Sequence, residues 1–208
     1  MEKIEQSELD SLINDHNKYI DSVQRNELEG NRLILDGIDF SNNNLSELNF
    51  LDVYITDSFF KNHVFENTNF GGAKLYGCKL NHIVFRKANF GKAEMNYSHI
   101  ADCAFDESDL IKVNSFETYF ENVNFTSCII DDFFSNSKIN QVQFEDCKFG
   151  GVEFWECVTN NIKFKNHPFN ANDHIKRINK GTLEQPIFVD GNEAIKVFIE
   201  SCNGCIET

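Results

Sequence analysis

Two cysteines near the C-terminus have a spacing that could support metal or redox chemistry. Cys202 and Cys205 enclose an Asn-Gly dipeptide and so form a C-x-x-C pair. Such a pair supplies two thiolates to a zinc ion, or forms the reversible disulfide of a redox centre. A closed zinc site needs two more ligands, which His167 and His174 would have to provide. One pair at the end of the chain is a weak signal, and we predict no metal site.

No other group of residues suggests catalysis. The chain has no glycine-rich phosphate loop, no nucleophile elbow and no histidine–carboxylate spacing of the type that binds a catalytic metal. We therefore predict no catalytic residue, no cofactor and no enzymatic activity.

The charge of the chain limits its partners. It has 33 acidic and 19 basic residues, a net charge of −14. Nucleic-acid binding through phosphate contacts needs clustered Lys and Arg, so direct binding of nucleic acid is not expected. An acidic surface is compatible with a protein partner that has a basic groove, or it serves only solubility.

The charged residues also form two bands along the sequence. Residues 67–93 contain five Lys or Arg and no Asp or Glu, whereas residues 102–121 contain six carboxylates and one lysine. Two interpretations stay open. The bands are a chance distribution of charges on a polar surface, or they form a docking surface with one basic and one acidic part. The acidic band is the candidate partner surface: Asp102, Asp106, Glu107, Asp109, Glu117 and Glu121.

A repeat of five residues determines where these side chains can lie. Counting in fives from Phe40 reaches Ile130, and after one missing residue the count resumes at Phe134 and ends at Phe169. Of the 27 positions counted, 25 are large and apolar, and they include 16 of the 21 phenylalanines. A period of five is neither helical nor strand-like. The chain must therefore turn a corner in every unit.

A second pattern precedes each large residue by two positions. These positions are mostly Ala, Ser, Thr, Cys or Val, so each unit directs one small and one large side chain inward. Five of the seven cysteines occupy small positions: Cys78, Cys103, Cys128, Cys147 and Cys157. Cysteine at such a site acts as a small hydrophobic residue, so free thiols are expected.

The repeat resembles that of the pentapeptide-repeat family, as in Ala88-Asn89-Phe90-Gly91-Lys92 and Val123-Asn124-Phe125. The resemblance covers residues 36–169 and implies an all-β solenoid, a right-handed quadrilateral β-helix of about seven coils. Residues 20 apart should then stack in columns, such as Phe65, Phe85, Phe105 and Phe125. The unit of four residues around Asp132 should distort one corner, with Asp132 turned to solvent.

The two ends of the chain lie outside the repeat. Residues 1–35 form an N-terminal cap and lead-in, with a helix predicted for residues 8–24 from the spacing of Leu9, Ile13 and Ile20. Residues 170–208 form a connector, with one short strand near residues 187–189 and a helix predicted for residues 193–202. That helix either caps the last coil or makes a homodimer interface; its apolar residues are Ile195, Phe198, Ile199 and Cys202.

The resemblance favours a non-catalytic scaffold that binds a macromolecular protein partner. An alternative that it implies is an acidic rod that mimics DNA and binds gyrase or another type II topoisomerase, giving protection from quinolones or toxins. A further alternative is a secreted bacterial effector. The sequence has no signal peptide and no apolar run long enough to span a membrane, so a cytoplasmic protein without membrane attachment is expected.

Overall fold

The computed structural model describes the backbone of residues 1–207 and the side chains of residues 1–131, 134–166 and 169–203. It contains three helices over these residues: α1 (Gln6–Arg25), α2 (Ala171–His174) and α3 (Gly191–Glu200). The strands are short and parallel except at the C-terminal end, where β19 and β20 pair antiparallel. In chain order they are β1 (Glu2–Lys3), β2 (Ile34–Asp36), β3 (Ile38–Asp39), β4 (Tyr54–Thr56), β5 (Phe59–Lys61), β6 (Val64–Glu66), β7 (Lys74–Tyr76), β8 (Lys79–Asn81), β9 (Val84–Arg86), β10 (His99–Ala101), β11 (Ala104–Asp106), β12 (Asp109–Phe116), β13 (Tyr119–Thr126), β14 (Ile129–Ser135), β15 (Lys138–Glu145), β16 (Lys148–Phe149), β17 (Glu153–Asn160), β18 (Ile162–Asn170), β19 (Arg177–Asn179), β20 (Phe188–Asp190) and β21 (Cys202–Glu207).

These strands build a parallel β-solenoid of about seven turns. Each residue pairs with the residue 20 positions later, as Phe65 does with Phe85 and Phe85 with Phe105. The predicted columns are therefore confirmed. Where the unit of four residues occurs, the offset falls to 19, and Ser115 pairs with Phe134 and Phe125 with Phe144. The side chain of Asp132 lies outside the described residues.

The corners have one recurring backbone conformation. Residues two positions after the large residue adopt a left-handed conformation, for example Lys87 with φ 52°, Lys92 with φ 61° and Glu107 with φ 50°. This conformation costs about 1–2 kcal/mol for a residue with a Cβ atom. The cost is offset because both flanking strands then form hydrogen bonds to the coils above and below.

The interior is filled by stacked phenylalanine rings. Ring centroids of Phe85 and Phe105 are 4.7 Å apart, and those of Phe105 and Phe125 are 4.8 Å apart, with the rings nearly parallel. Rings of neighbouring columns meet edge to face, as do Phe85 and Phe90 at 5.0 Å. Offset-parallel and edge-to-face contacts are the favoured aromatic geometries. The distance between stacked rings is thus the distance between adjacent strands of the sheet.

The small inward residues also connect the coils through hydrogen bonds. The Ser98 hydroxyl donates to the carbonyl of Leu75 at 2.8 Å and accepts from the backbone N–H of Cys78 at 3.0 Å. Ser108 makes the corresponding bonds to Phe85 and Ala88. Buried serines at these positions therefore satisfy backbone groups at the corners.

Helix α1 covers the first coil. Leu9 and Ile13 are buried in the same core as the phenylalanines, and β1 pairs with β3 at the exposed strand edge. The helix begins at Gln6 after Glu5, two residues before the start predicted for it. His16, on the same helix, is fully buried. It accepts a hydrogen bond on Nδ1 from the backbone N–H of Leu33, so Nε2 carries the proton and donates to the carbonyl of Leu51.

The C-terminal segment covers the last coil. Helix α3 directs Phe198 against Phe154 and Phe169, at ring distances of 5.2 Å and 5.7 Å. Phe198 is fully buried, so this part of the predicted apolar stripe acts as a cap within one chain. The helix begins at Gly191, two residues before the predicted start. The connector contains α2 and the pair β19–β20 rather than one strand, because Arg177, Ile178 and Asn179 pair with β20.

We predict that His16 makes the stability of the protein depend on pH near neutrality. Burial lowers the pKa of His16 below its ordinary value of 6.5. Below pH 6.5 the unfolded chain therefore binds a proton that the folded chain resists, and the free energy of unfolding falls as the pH decreases. Urea unfolding between pH 7.5 and pH 5.5 should show a loss on the order of 1 kcal/mol.

The variant His16→Gln should reduce this slope, since an amide can donate and accept without titrating. His82→Gln is the matched control because His82 is exposed, and it should keep the slope of the unchanged protein. Equal slopes in the two variants would contradict the assignment to His16.

Candidate functional site

The solenoid leaves three outward positions in each unit of five. They lie immediately before the large residue, immediately after it and at the corner that follows. Because residues 20 apart stack, each outward position forms a column along the rod. The charge and polarity of a face are therefore set by residues that recur 20 positions apart in the sequence.

The six acidic residues predicted as a partner surface do not form one patch. They belong to a single coil and surround it: Glu117 lies on one face, Glu121 and Asp102 on the next, Asp106 and Glu107 on the third, and Asp109 on the fourth. A band of 20 residues is one full turn of the solenoid, so a continuous charge in sequence becomes a ring in space. The residues predicted as the candidate partner surface therefore encircle the rod and do not share one face.

The acidic ring is also paired with the basic coil beneath it. Arg86 lies 3.7 Å from Asp106 and 3.8 Å from Glu66, and Lys87 lies 3.7 Å from Glu107. These pairs are exposed at the surface and each contributes little to stability. Their effect on the electrostatic potential of the surface matters more, because opposite charges alternate along the column and their potentials cancel at a distance. The two bands in the sequence therefore neutralise each other in part, through Arg86 with Asp106 and Lys87 with Glu107.

Three more members of the ring have polar partners. Asp102 accepts a hydrogen bond from the side-chain amide of Asn122 at 2.7 Å, and Glu117 accepts one from Asn136 at 3.1 Å. Glu121 lies 3.6 Å from Nε2 of His99. Asp109 instead accepts from the backbone N–H of Ile111 within its own turn.

One face carries a different set of side chains, which sequence reasoning did not identify. Strands β2, β4 and β7 form its first part, and segments of β12, β14 and β17 continue it. Its outward positions hold three of the five tyrosines and the sole tryptophan. We call it the aromatic face, and the aromatic residues on it whose side chains are described are Tyr54, Tyr76, Tyr97, Phe116 and Trp155.

The rings of the aromatic face meet across adjacent coils. Tyr54 and Tyr76 are in edge contact at 5.7 Å, and Tyr97 and Phe116 are in edge contact at 5.7 Å. Tyr97 is 58% exposed, and the other rings are partly exposed. An exposed sheet face normally carries polar side chains. Partly exposed rings in succession along one face are instead typical of a contact surface.

The aromatic face is also the face with the largest excess of acid. Its charged outward residues are Asp36, Asp57, Lys74, Glu94, Glu117, Glu153 and Glu156, a net charge of −5. Glu94 accepts a hydrogen bond from the Tyr76 hydroxyl and lies 3.3 Å from Lys74. Burial and this bond to Glu94 raise the pKa of Tyr76. The hydroxyl therefore stays protonated and neutral.

The next face provides a comparison. Its charged outward residues are Asp39, Lys61, Lys79, Asp102, Glu121 and Lys138, which balance to zero when histidine is neutral. It carries Tyr119, whose ring stacks on His99 at 4.7 Å and is covered by the ammonium group of Lys138 at 4.7 Å. The aromatic and acidic character is thus concentrated on one face.

The cysteines are placed for packing. Cys78 and Cys103 are buried, and burial raises the pKa of each thiol to about 12. Thiols with such pKa values are uncharged at neutral pH and are poor nucleophiles. Among the described side chains, Cys78, Cys103, Cys128, Cys147 and half-buried Cys202 are free thiols. The side chains of Cys205 and His167 lie outside the described residues.

The described part of the chain offers little space for a small molecule in its core. The gap between Phe60, Phe65 and Phe85 has a volume of about 10 Å³. Among the described side chains, no three His, Cys, Asp or Glu residues are grouped to hold a metal ion. None of the described helices has the length and apolarity needed to cross a membrane.

The four residues predicted for the cap or dimer helix divide into two groups. Phe198 is buried in the core, whereas Ile195, Ile199 and Cys202 are half-buried and pack against its edge. Helix α3 ends at Glu200, so Cys202 lies in β21 and outside the helix predicted to include it. The helix contributes Phe198 to the cap in one chain, and half-buried Ile195 and Ile199 keep some surface toward solvent.

We predict that the ion-pair column can be detected by reversing one charge. Arg86→Glu places a carboxylate between those of Glu66 and Asp106 and should lower the free energy of unfolding by about 1 kcal/mol at low salt. The loss should shrink in 1 M salt, where the Debye length is about 3 Å. Urea unfolding at both salt concentrations measures it.

Lys92→Glu is the matched control for this reversal. It makes the same change of charge at a position flanked by Gly72 and Lys112 in the neighbouring coils. It should cost less at low salt than Arg86→Glu. Equal losses from the two variants would show that the alternating charges do not interact.

Comparison with known proteins agrees with the repeat. The family model of pentapeptide repeats matches residues 64–99, with eight copies. No curated protein matches the chain. Among solved structures, full-length QnrB1, a plasmid-mediated fluoroquinolone resistance protein, is 14% identical; the match covers 66% of this chain and 80% of that chain, with a TM-score of 0.37. The pentapeptide repeat protein Rfr23 from the cyanobacterium Cyanothece 51142 is 15% identical; the match covers 50% of this chain and 59% of that chain, with a TM-score of 0.22.

These low identities and scores leave the repeat itself as the basis of the assignment. The units that match the family model are continuous with those before and after them, with the same inward residues and the same left-handed corner. Residues 64–99 are thus pentapeptide repeats of this family, and the rest of the solenoid continues the same repeat.

Proposed function

We propose that this chain is a non-catalytic scaffold that binds a macromolecular protein partner on the outside of the rod. One observation carries the proposal: Tyr54, Tyr76, Tyr97, Phe116 and Trp155 occupy outward positions of a single face. By contrast, the large apolar residues counted in fives from Phe40 to Phe169 point inward and, apart from half-buried Phe149, are buried. Tyrosine, tryptophan and phenylalanine are enriched at protein interfaces and depleted on surfaces that face only water.

The interior supports the same proposal. The described gap in the phenylalanine core is about 10 Å³, far below the several hundred Å³ of an ordinary ligand pocket. The buried serines donate to backbone carbonyls, and the pKa of the buried thiols of Cys78 and Cys103 is raised. The residues that could act as nucleophiles therefore already have structural roles, and interaction chemistry is left to the outer faces.

Site-specific photocrosslinking tests this proposal. A benzophenone amino acid would replace one outward residue on each face in turn: Tyr97, Tyr119, Val64 or Ile129, all of them at least partly exposed. In cells of the source organism, we expect a discrete crosslinked protein, most abundant from position 97. Absence of a discrete adduct from all four positions would overturn the scaffold proposal.

A second candidate is binding of gyrase or another type II topoisomerase by mimicry of DNA. The observation that favours it is the net charge of −14 on a rod-shaped repeat. The pairing of Arg86 and Lys87 with Asp106 and Glu107 counts against it, because these two ion pairs neutralise acidic charge in the middle of one face. A DNA mimic needs a sustained negative potential along its length.

A gyrase supercoiling assay, with and without a quinolone, separates the two candidates. Mimicry predicts inhibition, or relief from the drug, at micromolar protein, and a loss of that effect when Glu117 is changed to Gln. No effect at tens of micromolar would discard the topoisomerase candidate and leave the scaffold.

A further inference from the structure

We propose that the aromatic face binds an arginine-rich, extended segment of the partner protein. This inference rests on the proposed scaffold function and adds the chemistry of the partner. The binding surface consists of the five aromatic residues and of the carboxylates between them. Among these, Glu94 contacts Tyr76, and Glu117 and Glu156 directly follow Phe116 and Trp155 in the chain.

The net charge of the aromatic face determines the sign of the charge that its partner must carry. The outward residues of the aromatic face carry six carboxylates and one lysine, and Lys74 is already paired with Glu94 at 3.3 Å. The outward residues of the adjacent face have a net charge of zero. A basic segment would be attracted to the first face and not to the second, and the rate of association would fall with added salt. Nucleic acid would be repelled from the same face.

The combination of rings and carboxylates favours arginine over lysine. A guanidinium group stacks its plane on an aromatic ring and at the same time forms paired hydrogen bonds with a carboxylate. A lysine ammonium group is a compact, strongly hydrated charge that gains less from the ring. On the aromatic face, Tyr76 contacts Glu94, and Glu117 follows Phe116 directly in the chain.

The chain already binds one of its own arginines in this way at the C-terminal end of the face. Arg177 continues the strand register beyond Trp155. Its guanidinium carbon lies 4.8 Å from the ring centroid of Phe188, and its Nε lies 3.2 Å from a carboxylate oxygen of Glu156. A ring on one side and a carboxylate on the other thus hold an arginine at the next rung. The rungs before it present the same two kinds of group to solvent.

The length of the face fits an extended peptide. Tyr54 and Trp155 are separated by five rungs of the solenoid, which corresponds to about 24 Å. An extended chain covers that distance with about seven residues. The segment would run along the rod axis, across the strands, since the strands of the face are paired on both sides with adjacent coils. Recognition is therefore by side chains and does not add a strand to the sheet.

Two peptides of equal length and charge test the inference with the full-length protein. An octa-arginine and an octa-lysine peptide would be titrated into the protein at about 0.1 M salt, and Trp155, the sole tryptophan, reports binding by its fluorescence. We expect the arginine peptide to bind at least fivefold more tightly than the lysine peptide. Equal affinities would overturn the inference, because they would show attraction by charge alone.

Matched variants locate the site. Tyr97→Ala and Glu117→Gln, both on the aromatic face, should each weaken the arginine peptide severalfold. Tyr119→Ala and Glu121→Gln make the same changes on the adjacent face of the same coils, and they should leave the affinity unchanged. All four variants change outward side chains, and a thermal melt of each verifies the fold. Equal losses from both faces would contradict the assigned site.

The outcomes also separate this inference from the proposed function. A crosslinked partner at position 97 together with no preference for arginine would keep the scaffold and reject the arginine-rich segment. Concentration-dependent dimerisation that Tyr97→Ala abolishes would assign the aromatic face to a second copy of the chain and would also reject it.

Discussion

The parallel hydrogen bonding of one coil to the next, in a register of 20 residues, is the interaction on which the rest of the structure depends. It requires the chain to return to the same place after four corners, and the left-handed conformation at each corner makes that return possible. Once the register is set, stacking of Phe65, Phe85 and Phe105 follows, because each ring lies one strand separation above its predecessor. The outward columns follow from the same register.

The same register of 20 residues stacks side chains in the core and on the surface, but the two places are filled by different kinds of residue. Inside, like residues stack on like, since aromatic rings gain from contact with aromatic rings. Outside, the column that contains Glu66, Arg86 and Asp106 alternates in sign, because stacking three carboxylates at strand separation would be repulsive. The aromatic face departs from both patterns, with partly exposed rings beside an excess of carboxylates. This departure distinguishes the aromatic face from the other three faces and is the reason for proposing it as the binding surface.

Much of the solenoid could be predicted from the sequence because its information is periodic. The inward residues repeat every five positions, and the missing residue before Phe134 marks the change of register from 20 to 19. The ion pairs were also accessible, since Arg86 and Asp106 differ by 20. The aromatic face was harder to see, because its rings occupy different outward positions of their units: before the large residue at Tyr54, after it at Tyr76 and at the corner at Tyr97. Their spacing of 22 and 21 residues matches no fixed period.

The two ends could be predicted only in outline, because they have no period. A helix could be expected before the repeat, but nothing in the sequence indicates that His16 bridges the backbones of Leu33 and Leu51. The same holds for the connector, where Arg177 finds partners in Glu156 and Phe188 through pairing distant in sequence. The C-terminal helix was correctly expected to be apolar on one face, and the burial of Phe198 places that residue in the cap.

The corner in every unit ties position along the sequence to angle around the rod. Insertion or loss of one five-residue unit would rotate everything that follows by a quarter of a turn, while large residues would still meet large residues inside. The packing of the core would change little, but each outward residue after the change would move to the neighbouring face. Trp155 would then no longer lie on the same face as Tyr54. Insertion of four units would restore the alignment and only lengthen the rod. The surface of this protein therefore constrains the number of its units more strictly than its interior does.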